Sequence, residues 1–169
     1  RHTEFSGKKL QYFDPELNEN YIPYVVETSI GCDRMFLPMM CNAYDEEGVG
    51  EETRVVLRLP AILAPIKVAV LPLIKKDGLP EKAMEIFNTL KFNHQCYYEE
   101  KDSIGKRYRR MDAIGTPYCI TVDHQTLEDN TVTIRERDSM QQERIAIADV
   151  LQIVNAKVDI NTVLKQLAD

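Results

Sequence analysis

The chain has 169 residues and a formal net charge of −6; 44% of it is hydrophobic, 28% charged and 8% aromatic, with no Trp. That is a globular balance, enough for one domain or for one domain and part of another. No apolar run approaches the ~20 residues that cross a bilayer, so no membrane-spanning helix is expected in these residues, and the acidic total disfavours sequence-independent nucleic-acid binding, so any such site has to rest on local basic clusters.

From Arg1 to about Asn20 the pattern is strand-like and turn-rich, and SGKKLQYFDPELNEN reads as a hairpin or loop. YIPYVVETS is a β-branched and aromatic run, predicted as a buried strand ending near Glu27. Gly31 to about Glu47 reads as a helix whose residues Met35 to Tyr44 are apolar all round. DEEGVGEETR is polar and Gly-bearing, and is predicted as a loop and linker. VVLRLPAILAP is extended, because Pro60 and Pro65 both break helices. IKVAVLPLI is nearly continuous in apolar residues, the mark of a strand covered on both faces. LPEKAMEIFNTLKF predicts a helix with Pro80 near its first turn and Ala83, Ile86, Phe87 and Leu90 on one face. CYYEE is a short strand. A helix from about Ile104 is stopped by Gly115 and Pro117. YCITVD is another buried strand, TVTIRERD and QERIAI alternate as a hairpin pair, and ADVLQIVNA and INTVLKQLA are helical. The order βαβαβββα implies an α/β fold with a mixed sheet and helices packed on it.

Charge is unevenly spread. Residues 1–64 hold 6 Lys+Arg against 11 Asp+Glu, and residues 65–169 hold 15 against 16, so a boundary is expected between them. The four cysteines, Cys32, Cys41, Cys96 and Cys119, are widely spaced in apolar runs, which predicts reduced, buried thiols in a cytoplasmic protein. His2, His94 and His124 share no ligand spacing with them, so no metal site is expected. The first residues contain no apolar h-region, so no signal peptide is expected; the chain does not begin with Met and is expected to be a piece of a longer one.

Three stretches carry a resemblance: ETSIGCDRMFLPMMCNAYDEE, RLPAILAPIKVAVLPLIKKDGLPEKAMEI and SIGKRYRRMDAIGTPYCITVDHQTLEDNTVTIRERD. Together they resemble the C-terminal part of the bacterial glycyl-tRNA synthetases of the dimeric class II type, over nearly the whole chain. The resemblance implies two domains: residues 1–58 as the end of a class II catalytic domain, and residues 64–169 as an anticodon-binding domain with a five-stranded mixed sheet and about three flanking helices.

In that family the Gly–x–x–Arg element, here Gly31 and Arg34, is motif 3, and its arginine binds the γ-phosphate of ATP. A guanidinium fork suits phosphate oxygens, and a helix start adds partial positive charge. On the residues alone, Arg34 equally suits an ion pair with Asp33 or Glu27 at a helix cap. Glu27 and Ser29 match the family's E-x-S, where the carboxylate holds the ammonium of glycine and the hydroxyl orients it; on the residues alone they are a strand-end carboxylate and a helix N-cap. Pro38 departs from the small residue expected in this helix. Class motifs 1 and 2 do not occur in the chain, so alone it is expected to be inactive and to bind ATP poorly.

The second domain is implied to read the anticodon loop of a glycine-specific tRNA. Bases splayed from such a loop are read by stacking and by bonds to their edges, and carboxylates accept from cytosine N4. Glu128, Asp129, Arg135 and Arg137 are the residues assigned to that surface. Arg135 and Arg137 fall on the strand face opposite Val132 and Ile134, a pattern that also fits a solvated face with cross-strand ion pairs. In GKRYRR, Ile104, Tyr108 and Met111 are spaced as core; Lys106 and Arg107, with Arg109 and Arg110, fall outward, where they suit RNA backbone contact, a solvated face or a structural bond to Asp112.

The parent enzyme implied is a cytoplasmic homodimer that activates glycine with ATP and Mg²⁺ and esterifies its tRNA; neither ligand is expected on this chain alone, which is expected to self-associate through residues 21–45. Two alternatives remain: the same region of a threonyl- or prolyl-type enzyme, and a non-catalytic nucleic-acid-binding paralogue such as a polymerase accessory subunit.

Overall fold

The computed structural model describes residues 1–49 and 52–168, and the chain divides into two compact units, Arg1–Met35 and Phe36–Asp169. In the first, a short helix α1 (His2–Ser6) ends at Gly7, whose φ of 66° needs no Cβ. A small antiparallel hairpin follows, β1 (Tyr12–Asp14) with β2 (Glu19–Tyr21). Its turn is held by Asp14, whose Oδ1 accepts from the backbone N–H of Glu16 and Leu17 at 2.9 and 3.2 Å, an Asx arrangement. Tyr12 and Tyr21 meet edge-to-face across it.

The run after the hairpin corrects the sequence reading. Residues 22–31 are irregular and exposed rather than a buried strand; Tyr24 is 104% and Val26 95% exposed. β-Branched and aromatic residues favour a strand only through the neighbours they pack on, and among the described residues none pairs with this segment. Helix α2 (Cys32–Ala43) then begins, and carries Pro38 in its interior.

In the second unit, the expected helix end and linker form a ribbon instead. β3 (Tyr44–Val49) pairs antiparallel with β4 (Glu52–Leu57); Gly50 and Glu51 of the predicted linker lie outside the described residues. Cross-strand charge pairing decides this. Arg54 meets Glu47 directly opposite it at 2.7 Å, and Arg58 meets Asp45 at 2.8 Å and also bonds Glu47.

A five-stranded sheet follows, in the order β6-β5-β7-β8-β9. β5 (Val68–Pro72) lies parallel to both β6 (Cys96–Tyr98) and β7 (Tyr118–Val122); β8 (Thr131–Glu136) and β9 (Gln142–Ala146) complete it antiparallel. All five residues of β5 are buried, as its unbroken apolar run requires. One face packs Val68, Val70, Ile120, Val132 and Ile134 against α3 (Leu79–Leu90) and α6 (Val150–Val158). The other packs Ala69, Leu71 and Cys119 against Met111, Ile104 and Tyr108 of α4 (Ile104–Ala113). The unit also holds α5 (His124–Asp129), set by an Asp123–Thr126 capping box, a 3-10 turn (Ile147–Asp149) before α6, and α7 (Ile160–Ala168). α5 was not predicted, although Asp123 is its N-cap signal.

The cysteines also differ from expectation. Cys119 is buried and Cys96 partly so, but Cys32 and Cys41 are exposed, and all four are free thiols. Burial pushes the Cys119 thiol up to about 12 and Cys96 to about 11, so both stay protonated and inert.

Candidate functional site

Two places carry chemistry, one in each unit. In the first, Ser29, Gly31 and Arg34 line an open cavity of about 650 Å³ together with Ile30, Cys32 and Asp33. Gly31 accepts from the Met35 backbone N–H at 3.1 Å, opening the helix. Arg34 stands exposed in that first turn, where a fixed cation and the N-terminal peptide dipoles suit one phosphate group. Glu27 is also exposed, two residues ahead of Ser29, but does not line this cavity. Among the described residues no group of three or more His, Cys, Asp or Glu side chains converges as a metal site.

In the second unit the arginines assigned to the RNA surface are inside. Arg135 is 5%, Arg137 3% and Arg107 1% exposed. Arg135 donates twice to Asp112, at 2.9 and 3.0 Å, and lies 4.7 Å over the Tyr108 ring. Arg54 of the ribbon donates to the same carboxylate at 2.8 Å and to the Arg137 carbonyl. Arg137 donates to the carbonyls of Gly115 and Leu59 at 2.9 and 2.8 Å, and to Asp138. The reading of Arg135 and Arg137 as an outward face is therefore corrected. β8 is covered on both sides, by α3 and α6 on one and by α4 and the ribbon on the other, so polar alternation here marks a buried ionic layer. A structural bond to Asp112 exists, and Arg54 and Arg135 make it.

Arg107 is corrected in the same way. Its Nη1 donates to the carbonyls of Pro72 and Glu99 at 2.6 and 3.2 Å, and its Nη2 to Leu73 at 3.0 Å. It thereby ties the carboxyl ends of β5 and β6 together. Lys106 is exposed, as expected. Glu128 and Asp129 are exposed on α5, but Asp129 is occupied: it accepts from the Thr131 backbone N–H and hydroxyl at 2.9 and 2.6 Å and from Gln125 at 2.8 Å. Those bonds from Thr131 and Gln125 hold its carboxyl below the ordinary range.

The surface that sequence reasoning missed lies at the carboxyl ends of the parallel strands. From β5 the chain crosses by α3 to β6 on one side, and from β6 by α4, on the opposite face, to β7. At such a topological switch point open α/β sheets commonly leave a crevice outside the strand ends, the usual ligand position. Beyond the ends of these strands stand Lys75, Asp77, Glu100 and His124, with side chains 55, 58, 40 and 56% exposed. Lys75 Nζ lies 3.9 Å from Glu100, which also accepts from the Tyr98 hydroxyl at 2.9 Å; burial, and after it that bond, raise Tyr98 to about 12. His124 Nε2 lies 3.9 Å from Asp77. A rim of exposed donors and acceptors on a floor fixed by Arg107 can pair with base edges. The sequence signal was KKD directly after a fully apolar strand.

The comparisons with known proteins agree with this architecture. A glycine–tRNA ligase of Clostridium tetani is 52% identical over 160 residues, covering 94% of the chain and 34% of that protein; one of Mycoplasmopsis synoviae is 56% identical over 155 residues, covering 90% and 34%. The chain thus spans about a third of the length of the curated relatives it matches. Two solved structures share the fold: the RNA binding domain of threonyl-tRNA synthetase from Cryptosporidium parvum, with TM-score 0.54 and 20% identity over 60% of the chain and 26% of that one, and prolyl-tRNA synthetase from the same organism, with TM-score 0.55 and 19% identity over 66% and 25%. Residues 67–157, which hold the whole five-stranded sheet, match the family described as anticodon binding domain, and the chain belongs to that family.

Proposed function

We propose that this chain is the anticodon-reading part of a glycine–tRNA ligase, joined to a segment of that enzyme's ATP and glycine site. One observation carries the reading: identity near 50% to glycine–tRNA ligases extends over 94% of the chain, well beyond residues 67–157. Identity of 19–20% to the threonyl and prolyl structures supports the fold alone.

In this reading the crevice at the ends of β5, β6 and β7 receives the anticodon bases. Glu100 accepts from a cytosine N4 amine, and Lys75 donates to a base or phosphate oxygen beside it. Arg107 positions the floor and touches no base. In the first unit, Arg34 pairs with the terminal phosphate of ATP, Glu27 holds the ammonium of glycine and the Ser29 hydroxyl orients it. ATP supplies the leaving group for adenylate formation; the residues present fit its terminal phosphate through Arg34. Mg²⁺ would be held largely by the phosphates and by residues other than those of this segment. The partners proposed are a glycine-accepting tRNA and a second copy of the enzyme, in the cytoplasm.

The test is tRNA binding by the chain, with anticodon variants of one transcript compared. Glu100→Gln should cost about 1–3 kcal/mol on the transcript carrying the glycine anticodon and relax discrimination at one position. Equal affinity of the wild-type chain for all anticodons would refute base reading at this crevice.

A further inference from the structure

At the opposite end of the sheet lies a feature the crevice does not use. α3 ends at Leu90, and Phe92 follows, 84% exposed. Lys91 Nζ stands 5.4 Å from the Phe92 ring and 6.0 Å from the Phe87 ring, and donates to Asn88 Oδ1 at 2.6 Å. The ammonium is thus held beside an open aromatic face.

The next two residues, Asn93 and His94, line a cavity of about 440 Å³ with Lys67, Asn155 and Asp159. His94 Nε2 lies 2.5 Å from Asn155 Oδ1, and Lys67 donates to the carbonyls of Ala61 and Ile62 at 3.1 and 2.7 Å. The whole patch sits at the amino ends of β5 and β6, where the Lys67 N–H bonds the Gln95 carbonyl at 2.8 Å. It is one strand length from the crevice, ~17 Å for five residues.

The chemistry selects the partner. An aromatic ring left open beside a fixed ammonium suits a nucleotide, which offers a base to stack and a phosphate to pair. Protein interfaces disfavour lysine at their cores, because the ammonium would have to lose its water. We propose that Lys91 and Phe92 form a second RNA contact: an unpaired base of the bound tRNA, outside the anticodon, stacks on Phe92 while Lys91 meets the adjoining phosphate. This rests on tRNA being the partner, and adds a contact that supplies affinity without reading the anticodon.

The test is a titration of the 169-residue chain against a glycine-accepting tRNA transcript and the same transcript with its anticodon changed, followed by fluorescence anisotropy. Phe92→Ala should weaken binding of both transcripts by one common factor, about five- to a hundredfold, with unchanged thermal unfolding. Phe92→Trp should restore binding and Phe92→Leu should not, since stacking needs the ring. Lys91→Ala should lower the slope of log affinity against log salt by ~0.7. Wild-type affinity in Phe92→Ala overturns the proposal, and so does full binding by Phe92→Leu, which would mark an apolar docking point for a protein. An effect confined to one anticodon also overturns it. A wild-type chain that binds no tRNA overturns both this contact and the proposed function, whereas a binding-competent wild type with an indifferent Phe92→Ala overturns this contact alone.

Discussion

Asp112→Asn changes one oxygen for a nitrogen in a side chain that is 1% exposed and accepts from two guanidinium groups. The shape of the site stays, but the bonds do not: the two Arg135 bonds at 2.9 and 3.0 Å and the Arg54 bond at 2.8 Å all need acceptors, and an amide supplies one oxygen and turns two N–H groups toward cations. Arg135, with a side chain 6% exposed, is left as an uncompensated buried charge, and Arg54, 3% exposed, keeps Glu47 as its acidic partner. Breaking a buried pair in this way costs about 3–5 kcal/mol. For a unit of this size the melting temperature should fall on the order of 10–20 °C. Urea unfolding of wild type and variant at 25 °C, followed by circular dichroism, gives the difference directly. A loss below ~1 kcal/mol with unchanged m would refute the ionic layer as a load on folding. A triple variant, Arg54→Met with Asp112→Leu and Arg135→Met, is expected to recover most of the loss, because well-packed apolar replacements of a buried ion triad are often neutral or stabilising. Arg135→Ala is expected to lower stability without relaxing anticodon discrimination, the outcome that separates a buried strut from a base reader.

Three other perturbations test other parts of the fold. Gly115 has φ +82°, and a Cβ there would meet the Leu57 carbonyl oxygen at 3.1 Å and Leu59 Cδ1 at 3.3 Å; Gly115→Ala should cost at least ~1–3 kcal/mol from the backbone conformation alone, and thermal unfolding equal to wild type would refute the close approach. Asp123 is held below the ordinary 3.8, chiefly by its bonds from Arg144 at 2.6 and 2.9 Å. A depressed carboxylate contributes stability that is full above about 3.8 and is lost as pH falls through its own lower value, so stability measured from pH 5 down to pH 2 should drop less in Asp123→Asn than in wild type; parallel curves would sink the assignment. Ile22, Tyr24, Val25, Val26, Ile30 and Met35 of the first unit, and Phe36 and Leu37 of the second, are all exposed, and clustered exposed apolar residues mark association sites; the chain is expected to self-associate through residues 21–45, and Phe36→Asp to shift it toward monomer in light scattering, whereas a monodisperse wild-type monomer at high concentration would count against this.

The sheet was legible where burial is symmetric or periodicity is clean. IKVAVLPLI could only be a strand covered on both faces, and β5 is one. The 3.6-residue spacing of Ala83, Ile86 and Leu90 placed α3 with those residues inside, and the alternation in TVTIRERD and QERIAI gave the β8–β9 pair. Local sequence suffices there, because the side chains that face the core repeat at the period of the element. The resemblance located Gly31, Ser29 and Arg34, which line one cavity.

Only the tertiary structure decided the rest, and in each case a distant residue was the cause. Period-2 alternation shows that Arg135 lies opposite Val132 and Ile134, but not whether that second face meets water or another layer. Here α4 and the ribbon cover it, and Asp112, 23 residues away, turns an apparent solvent face into a buried ionic one. DEEGVGEETR carries loop composition, yet its described residues, 45–49 and 52–54, pair in β3 and β4, where Glu47 and Asp45 find Arg54 and Arg58 across the ribbon. After Tyr21, the end of β2, the rest of YIPYVVETS carries strand composition, yet has no strand beside it among the described residues. The strand ends, finally, carry Lys75 beside Glu100 and His124 beside Asp77, pairs drawn from the loops after β5 and β6 and from the start of α5. A sequence read in one dimension records each residue's preference, but burial and pairing belong to the neighbours that folding brings to it.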